Sequence, residues 1–453
     1  MSPLFALLAA AITAGGLFHP ARQAAILLVW LPFSNFFPPL LYAQFAVGAE
    51  TVRGLIAIKD GLLGMSLAGN ALRQRVRLGE SHLADLLLAA YSVLLTLYLA
   101  LGIGDGETQI SAETQFSAFR NLITPPLAYF AGRLLQVDAA PSLLRVLLIT
   151  HGVVCAFGFF ELFFLPLEFW SLVVQIGGFL VDVKGLQPDQ NSNQFGLWAN
   201  HIMHGMRRMV SFYGDPHSLG QASVVPVVYV AALVASGRRR WLPLLALFMG
   251  TLALSVHRES IFATLLALGL LAWIRREHHA RIGSLALWAI FGGLVLSTLG
   301  SELLTNTVTG QESSASVRTQ FMQEAIENLD QYLLGRGIGQ AGGYAHLEGV
   351  SAEGVGENSY MALMGQAGLL SVLLFLGFLG ATVVTLVRGA TAQQNILAAA
   401  LAAALFGRAC GALFSESIFG FTGTAPLFLF AGLAMRAISI PTQEPHADRP
   451  GHQ

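Results

Sequence analysis

The residues whose types and spacing suit them to chemistry fall into four groups. One is Arg207-Arg208, followed by Gly214-Asp215-Pro216-His217-Ser218-Leu219-Gly220 leading into an apolar run. The second is His257-Arg258-Glu259-Ser260, wedged between two apolar runs with almost no loop. The third is Arg318 and the fourth is Glu357, next to Asn358. A guanidinium presents a planar fork that grips phosphate through two parallel hydrogen bonds and keeps its charge at any physiological pH. A carboxylate beside it can take the proton of an attacking hydroxyl, while the arginines stabilise the charge that develops on a departing pyrophosphate. Such chemistry suits a lipid-linked pyrophosphate at a membrane interface and needs no nucleotide. A metal site is less expected, since Glu161, Glu168 and Asp182 are dispersed and no Asp/His pair has ligand-like spacing.

Each group also has a purely structural reading. Arg207 and Arg208 would serve as interfacial side chains that reach toward water along apolar stems. Arg258 would pair with Glu259 or a neighbouring helix, Arg318 would lie on a solvated helix face, and Glu357 would act at a helix start. His217 and His257 read more readily as hydrogen-bonding scaffold than as ligands.

The elements that must position these groups are helices in a bilayer. The 453-residue chain is 54% hydrophobic and 11% charged, whereas soluble domains carry about 25% charged residues. A run of about 20 apolar residues crosses the hydrocarbon core as a helix, because every backbone polar group must be satisfied internally there. Apolar runs centre near residues 4–17, 24–46, 55–70, 83–103, 120–136, 143–163, 222–236, 241–256, 259–274, 282–299, 361–387, 394–414 and 424–438. The expected fold is therefore an all-α polytopic membrane protein with about 12–13 transmembrane helices, the first three runs being interrupted or flanked by prolines and charges. No basic segment precedes the first run, so it reads as a retained helix and not as a cleaved signal.

Basic residues set the orientation. Arg73, Arg75 and Arg77, then Arg238-Arg239-Arg240, then Arg275, Arg276 and Arg281, then Arg388, mark four connections that are all cytoplasmic in one self-consistent threading. The intervals 164–221, 255–259 and 300–360 then share the opposite face, with Arg120 and residues 415–423 near it. Within 164–221, the run from Phe169 to Val181 reads as interfacial or re-entrant, not spanning. The chain divides into an N-terminal transmembrane bundle (1–299), a large loop (300–360), C-terminal transmembrane helices (361–438) and a polar tail (439–453). The stretch from Thr305 to Val372 is the longest polar interval. It holds an expected helix from Val317 to Leu334 and a glycine-rich segment, Gly335-Arg336-Gly337-Ile338-Gly339. Cys155 and Cys410 lie in separate apolar runs and imply no disulfide.

Together these features resemble the O-antigen polymerase and O-antigen ligase superfamily of bacterial envelope enzymes, over roughly residues 55 to 436. Arg120-Asn121 begins a span that continues Thr124-Pro125-Pro126-Leu127-Ala128-Tyr129. Arg208 lies ahead of Tyr213-Gly214-Asp215-Pro216-His217, where the family shows an aromatic…Pro-Asn type of turn. Ser255-Val256-His257-Arg258 is similar to the family's Ser-Arg-Gly turn. Ligases carry a histidine, then Asn, Ser or Gln, then nine residues and Gly-x-x-Gly; here Glu357-Asn358 is followed by nine residues and Gly368-Leu369-Leu370-Ser371. Two positions depart from that pattern: Glu357 stands for the histidine and Ser371 for the second glycine.

The resemblance implies a GT-C-type glycosyltransferase of the bacterial inner membrane, active at the periplasmic face without cofactor or metal. It implies polymerisation of undecaprenyl-pyrophosphate-linked repeat units of O-antigen or exopolysaccharide, by inverting displacement at the donor's anomeric carbon. In that scheme Arg208, Arg258 and Arg318 hold the pyrophosphate or glycan and Glu357 deprotonates the acceptor. Arg120, His217, Asn358 and Arg207 contact donor or acceptor. The partners it implies are the glycan donor and acceptor, the bilayer, a chain-length regulator and a flippase, with no nucleic acid. The alternatives are a ligase that moves the glycan to lipid A-core, a lipid-linked sugar transporter, and an inactive assembly partner.

Overall fold

The structure is a computed structural model that describes residues 11–15, 17–73, 82–102, 110–183, 201–203, 206–275, 281–293, 327, 329–343 and 358–439. Its helices in chain order are α1 (Pro20–Phe33), α2 (Phe37–Phe45), α3 (Ala49–Arg73), α4 (Leu83–Leu101), α5 (Ala112–Leu134), α6 (Ala140–Phe164) and α7 (Pro216–Ala235). There follow α8 (Leu242–Leu254), α9 (Arg258–Ile274), α10 (Arg281–Gly293), α11 (Leu329–Leu334), α12 (Ser359–Gln393), α13 (Ile396–Gly411) and α14 (Phe421–Ser439). One two-stranded ribbon, Ile202–Met203 against Met206–Arg207, completes the regular structure among the described residues.

Among the described residues, six helices are long and apolar enough to cross a membrane, or seven if α1 and α2, bent by 57° at their junction, form one broken span. The fold is thus all-α and of the multi-pass membrane type, with fewer full-length spans among the described residues than the apolar runs imply. The difference has a physical origin. The runs at 241–256, 259–274 and 394–414 do form helices, but of 13, 17 and 16 residues. At 1.5 Å per residue these reach about 20, 26 and 24 Å, against about 30 Å of hydrocarbon. The run at 4–17 lies mostly outside the described residues, as does the far end of the run at 282–299. The Phe169–Val181 run, read as non-spanning, is a series of short wide turns, Phe169–Val173 and Phe179–Val183 around Ile176–Gly178.

Neighbouring helices alternate in direction, and their contacts define two ends. At one end the Ser359 amide, opening α12, donates to Ala412 O (2.9 Å) and Ser415 O (3.2 Å) just past α13. There too the Met209 amide, ahead of α7, donates to Leu254 O at 3.0 Å. At the other end Arg275 Nη2 donates to Ser236 Oγ at 2.9 Å, Gln393 Nε2 to Ile438 O at 3.3 Å, and His82 shares a 2.8 Å hydrogen bond with Ser439. Arg238, Arg239, Arg240, Arg275 and Arg388 all belong to this second, basic end. Arg73 lies toward it as well, beyond Ser66, whose hydroxyl donates to Pro20 O at the start of α1. Arg75, Arg77 and Arg276 lie outside the described residues. The expected separation of basic connections from the intervals around 208–217, 255–259, 335–343 and 415–423 therefore holds for every described member.

α12 is broken near its start. Ala367 and Gly368 leave the helical region, and Gly368 sits at φ +76°, a conformation that a side chain would strain. A break of this kind frees the carbonyls of the preceding turn, which cost several kcal/mol each if left unpaired in an apolar setting, roughly 2–7 on transfer scales. The glycine-rich segment supplies the missing donors. Arg336 N donates to Gly365 O (2.7 Å), Gly337 N to Gln366 O (3.1 Å), and Gly339 N to the Gln366 side chain (2.9 Å). Ile338 is buried beneath this strap, and the Arg336 guanidinium lies 4.9 Å over the Tyr332 ring. Of the expected helix from Val317 to Leu334, the last turn is present as α11; residues 317–326 lie outside the described residues.

Candidate active site

The turn between α8 and α9 is the centre of the non-basic end. α8 ends at Leu254 and α9 begins at Arg258, so His257 and Glu259 are pressed into the junction. Val256 takes φ +50°, an unfavourable conformation for a β-branched residue. Arg208 pins this turn: Nε donates to Ser255 O at 2.9 Å and Nη2 to Val256 O at 3.3 Å. Arg208 is 4% exposed, and burial pulls its guanidinium down to about 10, so it remains cationic.

Two further helices converge on the same turn. α7 begins with Asp215, whose carboxylate accepts from the amides of His217 (3.2 Å) and Ser218 (2.8 Å), a strong N-cap followed by proline at the first helical position. Burial pushes the Asp215 carboxyl up, but His217 and these amides more than offset it, and the group sits below the ordinary carboxylate value. This cap aims the His217 ring edge-on at His257, 4.7 Å between centroids. From α13, Arg408 Nη1 donates to Glu259 Oε1, and Arg408 Nη2 to Ser417 O at 3.1 Å. Arg408 is 1% and Glu259 6% exposed, so this is a buried ion pair. α13 comes this close because Gly407 faces Ala263 O of α9, where any Cβ would collide with backbone.

Glu259 Oε2 faces His257 Nε2 at 3.6 Å and has no hydrogen bond among the described residues. Burial first, then the positive charge of His217, Arg408, Arg208 and Arg258, holds the His257 ring well below the usual 6.5. His257 is therefore neutral, and its contact with Glu259 is dipolar. Its Nδ1 shares a 2.7 Å hydrogen bond with Ser260 Oγ. The cluster carries three guanidiniums (Arg208, Arg258, Arg408) against two carboxylates (Asp215, Glu259), a net positive charge suited to an anionic ligand. Arg258 is the guanidinium of the three that is partly exposed and can meet such a ligand directly.

The other residues singled out in the sequence have distinct placements. Arg207 is bound into the fold: Nη2 meets Glu161 Oε1 at 2.6 Å and Nη1 donates to Leu165 O at 2.5 Å. Glu161 also accepts from Trp170 Nε1 (3.1 Å) and from the amides of Val210 (3.3 Å) and Ser211 (3.4 Å), which fixes the segment leading to Asp215. Arg120 lies 3.6 Å from Asp60, beside Lys59, which stands 5.1 Å over the ring of Phe421. This second basic group lies near the turn Glu416–Phe419, which Arg408 also holds through Ser417 O. Asn358 caps α12, its side-chain oxygen accepting from Tyr360 N (2.9 Å) and Met361 N (3.2 Å). Arg318 and Glu357 lie outside the described residues.

The structure thus brings together Arg208, Arg258 and His217, with Asn358 and Arg120 at the same end. The Glu259–Arg408 pair was not among the residues chosen from the sequence. The signal for it was present: a lone arginine in the apolar run 394–414 is a functional candidate by default. Arg408, from a neighbouring helix, meets the Glu259 carboxylate. No protein-family model matches the chain, and no curated protein matches it.

Proposed function

We propose that the chain is a glycosyltransferase that elongates a glycan carried on undecaprenyl pyrophosphate, joining O-antigen or exopolysaccharide repeat units at the periplasmic side of the bacterial inner membrane. One observation carries this reading: Arg208, Arg258 and Arg408 from three separate stretches of chain converge with a buried carboxylate at one end of the bundle. Three helices that meet there, α8, α9 and α13, are short. With their basic ends level, α8, α9 and α13 stop about 4–10 Å below the top of a 30 Å hydrocarbon layer. A charged turn sunk to that depth meets the pyrophosphate of a lipid whose tail stays in the bilayer.

In the proposed reaction the oxygen of an acceptor sugar hydroxyl attacks the donor's anomeric carbon from the face opposite the pyrophosphate. The bond between that carbon and the phosphate oxygen breaks, with inversion. The acceptor proton passes to the Glu357 carboxylate, and the departing undecaprenyl pyrophosphate takes the bonding electron pair. Arg258, with Arg318, meets the charge that grows on the leaving group; His217 and Asn358 border the sugar. Arg208 acts as a positioning residue, holding the strained turn on which Arg258 stands. The Glu259–Arg408 pair fixes the first turn of α9 from below, and its carboxylate keeps the arginine cluster from self-repulsion.

The test is a gel of surface polysaccharide from cells that lack the gene, complemented with wild type or Arg258→Ala. The proposal expects single repeat units where the ladder stood, and no ladder with Arg258→Ala at equal protein level. Long chains that persist on the carrier lipid identify a ligase instead. An unchanged ladder in the deletion strain overturns both readings.

A further inference from the structure

At the basic end, α6, α7 and α8 do not close against one another. They leave a crevice of about 440 Å³, within the range of roughly 300–1,000 Å³ of small-molecule sites. Its walls are apolar, built from Leu144 and Leu148 of α6, Leu233 of α7 and Leu244 of α8. Ile149, 61% exposed, stands at its outer lip, so the crevice opens sideways toward the surroundings of the bundle. Its polar lining is different in kind. Arg145 and Arg238 are exposed, and neither makes an ion pair among the described residues. Trp241 lines the same mouth, and its indole Nε1 is buried without a hydrogen-bond partner among the described residues.

A buried donor without an acceptor, two guanidiniums and an apolar trough call for an elongated ligand with an anionic head and a hydrocarbon body. We propose that this crevice binds an anionic glycerophospholipid from the leaflet that meets the basic end. One acyl chain lies along Leu144, Leu148 and Leu233, the phosphate sits between Arg145 and Arg238, and Trp241 Nε1 donates to a phosphate or ester oxygen. Arg239 and Arg240, next in the chain to Arg238, add positive field at the mouth and disfavour headgroups that carry their own cation. The site lies at the opposite end of the bundle from Arg258, so it is independent of the proposed transferase site.

Native mass spectrometry of the full-length protein in mild detergent, titrated with phosphatidylglycerol or with phosphatidylcholine, tests this. Wild type is expected to retain one phosphatidylglycerol and no phosphatidylcholine under the same activation. The Arg145→Ala/Arg238→Ala variant is expected to bind phosphatidylglycerol about thirtyfold more weakly. Gly152→Leu tests the trough with every arginine in place: a Cβ there has room, 3.9 Å from Leu244 Cδ1, so a leucine fills the crevice and excludes the lipid. Equal retention of the two lipids by wild type, or phosphatidylglycerol binding by Gly152→Leu at wild-type strength, overturns the proposal. Should the double arginine variant aggregate, Gly152→Leu and the headgroup comparison decide alone.

Discussion

Replacing Arg408 by methionine removes the cation from a buried pair and leaves its anion in place. Glu259 is 6% exposed, and His257, which faces its second oxygen, is held neutral by burial and surrounding arginines. The carboxylate then loses the cation that holds it, and Ser417 O loses the donor that ties the turn before α14 to α13. Breaking a buried pair from one side costs about 3–5 kcal/mol. Removing both charges, in Glu259→Gln/Arg408→Met, leaves no buried ion and is expected to cost only about 1–2 kcal/mol, the worth of the lost hydrogen bonds. The double variant should therefore be more stable than Arg408→Met by about 2–3 kcal/mol. Thermal unfolding of the purified variants in one detergent, followed by tryptophan fluorescence, reads this order directly. An Arg408→Met midpoint equal to wild type, or a double variant no more stable than the single, would falsify the burial argument.

Three further outcomes follow from the same geometry. Arg207→Ala strips the cation from Glu161 but leaves it the Trp170 indole and two amides, so the loss should be milder, about 1.5–3 kcal/mol by the same melts. His257 and His201 are both held below the usual 6.5, burial being the main cause. The unfolded chain thus binds more protons than the fold in the mildly acid range, so the stability these residues give is full above about 6.5 and falls as pH drops below it. A His257→Gln variant should lose less stability than wild type between pH 7.5 and 5, and an identical slope contradicts the assignment. Gly368→Ala forces a side chain into φ +76° and against Leu333 O at 2.7 Å. Beyond a strain of about 1–2 kcal/mol, it should lift the strap at residues 335–339 off α12, seen as faster hydrogen exchange at the Arg336 and Gly337 amides.

Local signals made much of this fold legible. The apolar runs located the helices, Asp215-Pro216 announced the start of α7, and the alternating basic connections sorted the two ends correctly. Lengths were harder to read: the run at 394–414 stays apolar through Ala412-Leu413-Phe414, past the point where α13 stops. The break in α12 was legible only as one glycine, Gly368; the segment that repairs it, residues 335–339, was visible as glycine-rich but not as its complement. Partners were the least legible. Glu259 and Arg408 lie 149 residues apart, and Glu161 and Arg207 lie 46 apart. No local pattern couples such positions; only the packing of α9 on α13, which Gly407 permits, brings the first pair together. Arg207, chosen from the sequence as a ligand contact, turned out to be held by Glu161 for the same reason.

The central claim is that the arginine end of the bundle cleaves a lipid-pyrophosphate glycan bond. The most direct test is the purified protein in nanodiscs given a synthetic undecaprenyl-pyrophosphate-linked repeat unit, without nucleotide. The reading expects longer glycans on the carrier together with stoichiometric free undecaprenyl pyrophosphate, and loss of both with Arg258→Ala at unchanged thermal midpoint. A donor that stays intact while it crosses the bilayer of a proteoliposome, or turnover by Arg258→Ala at the wild-type rate, contradicts it.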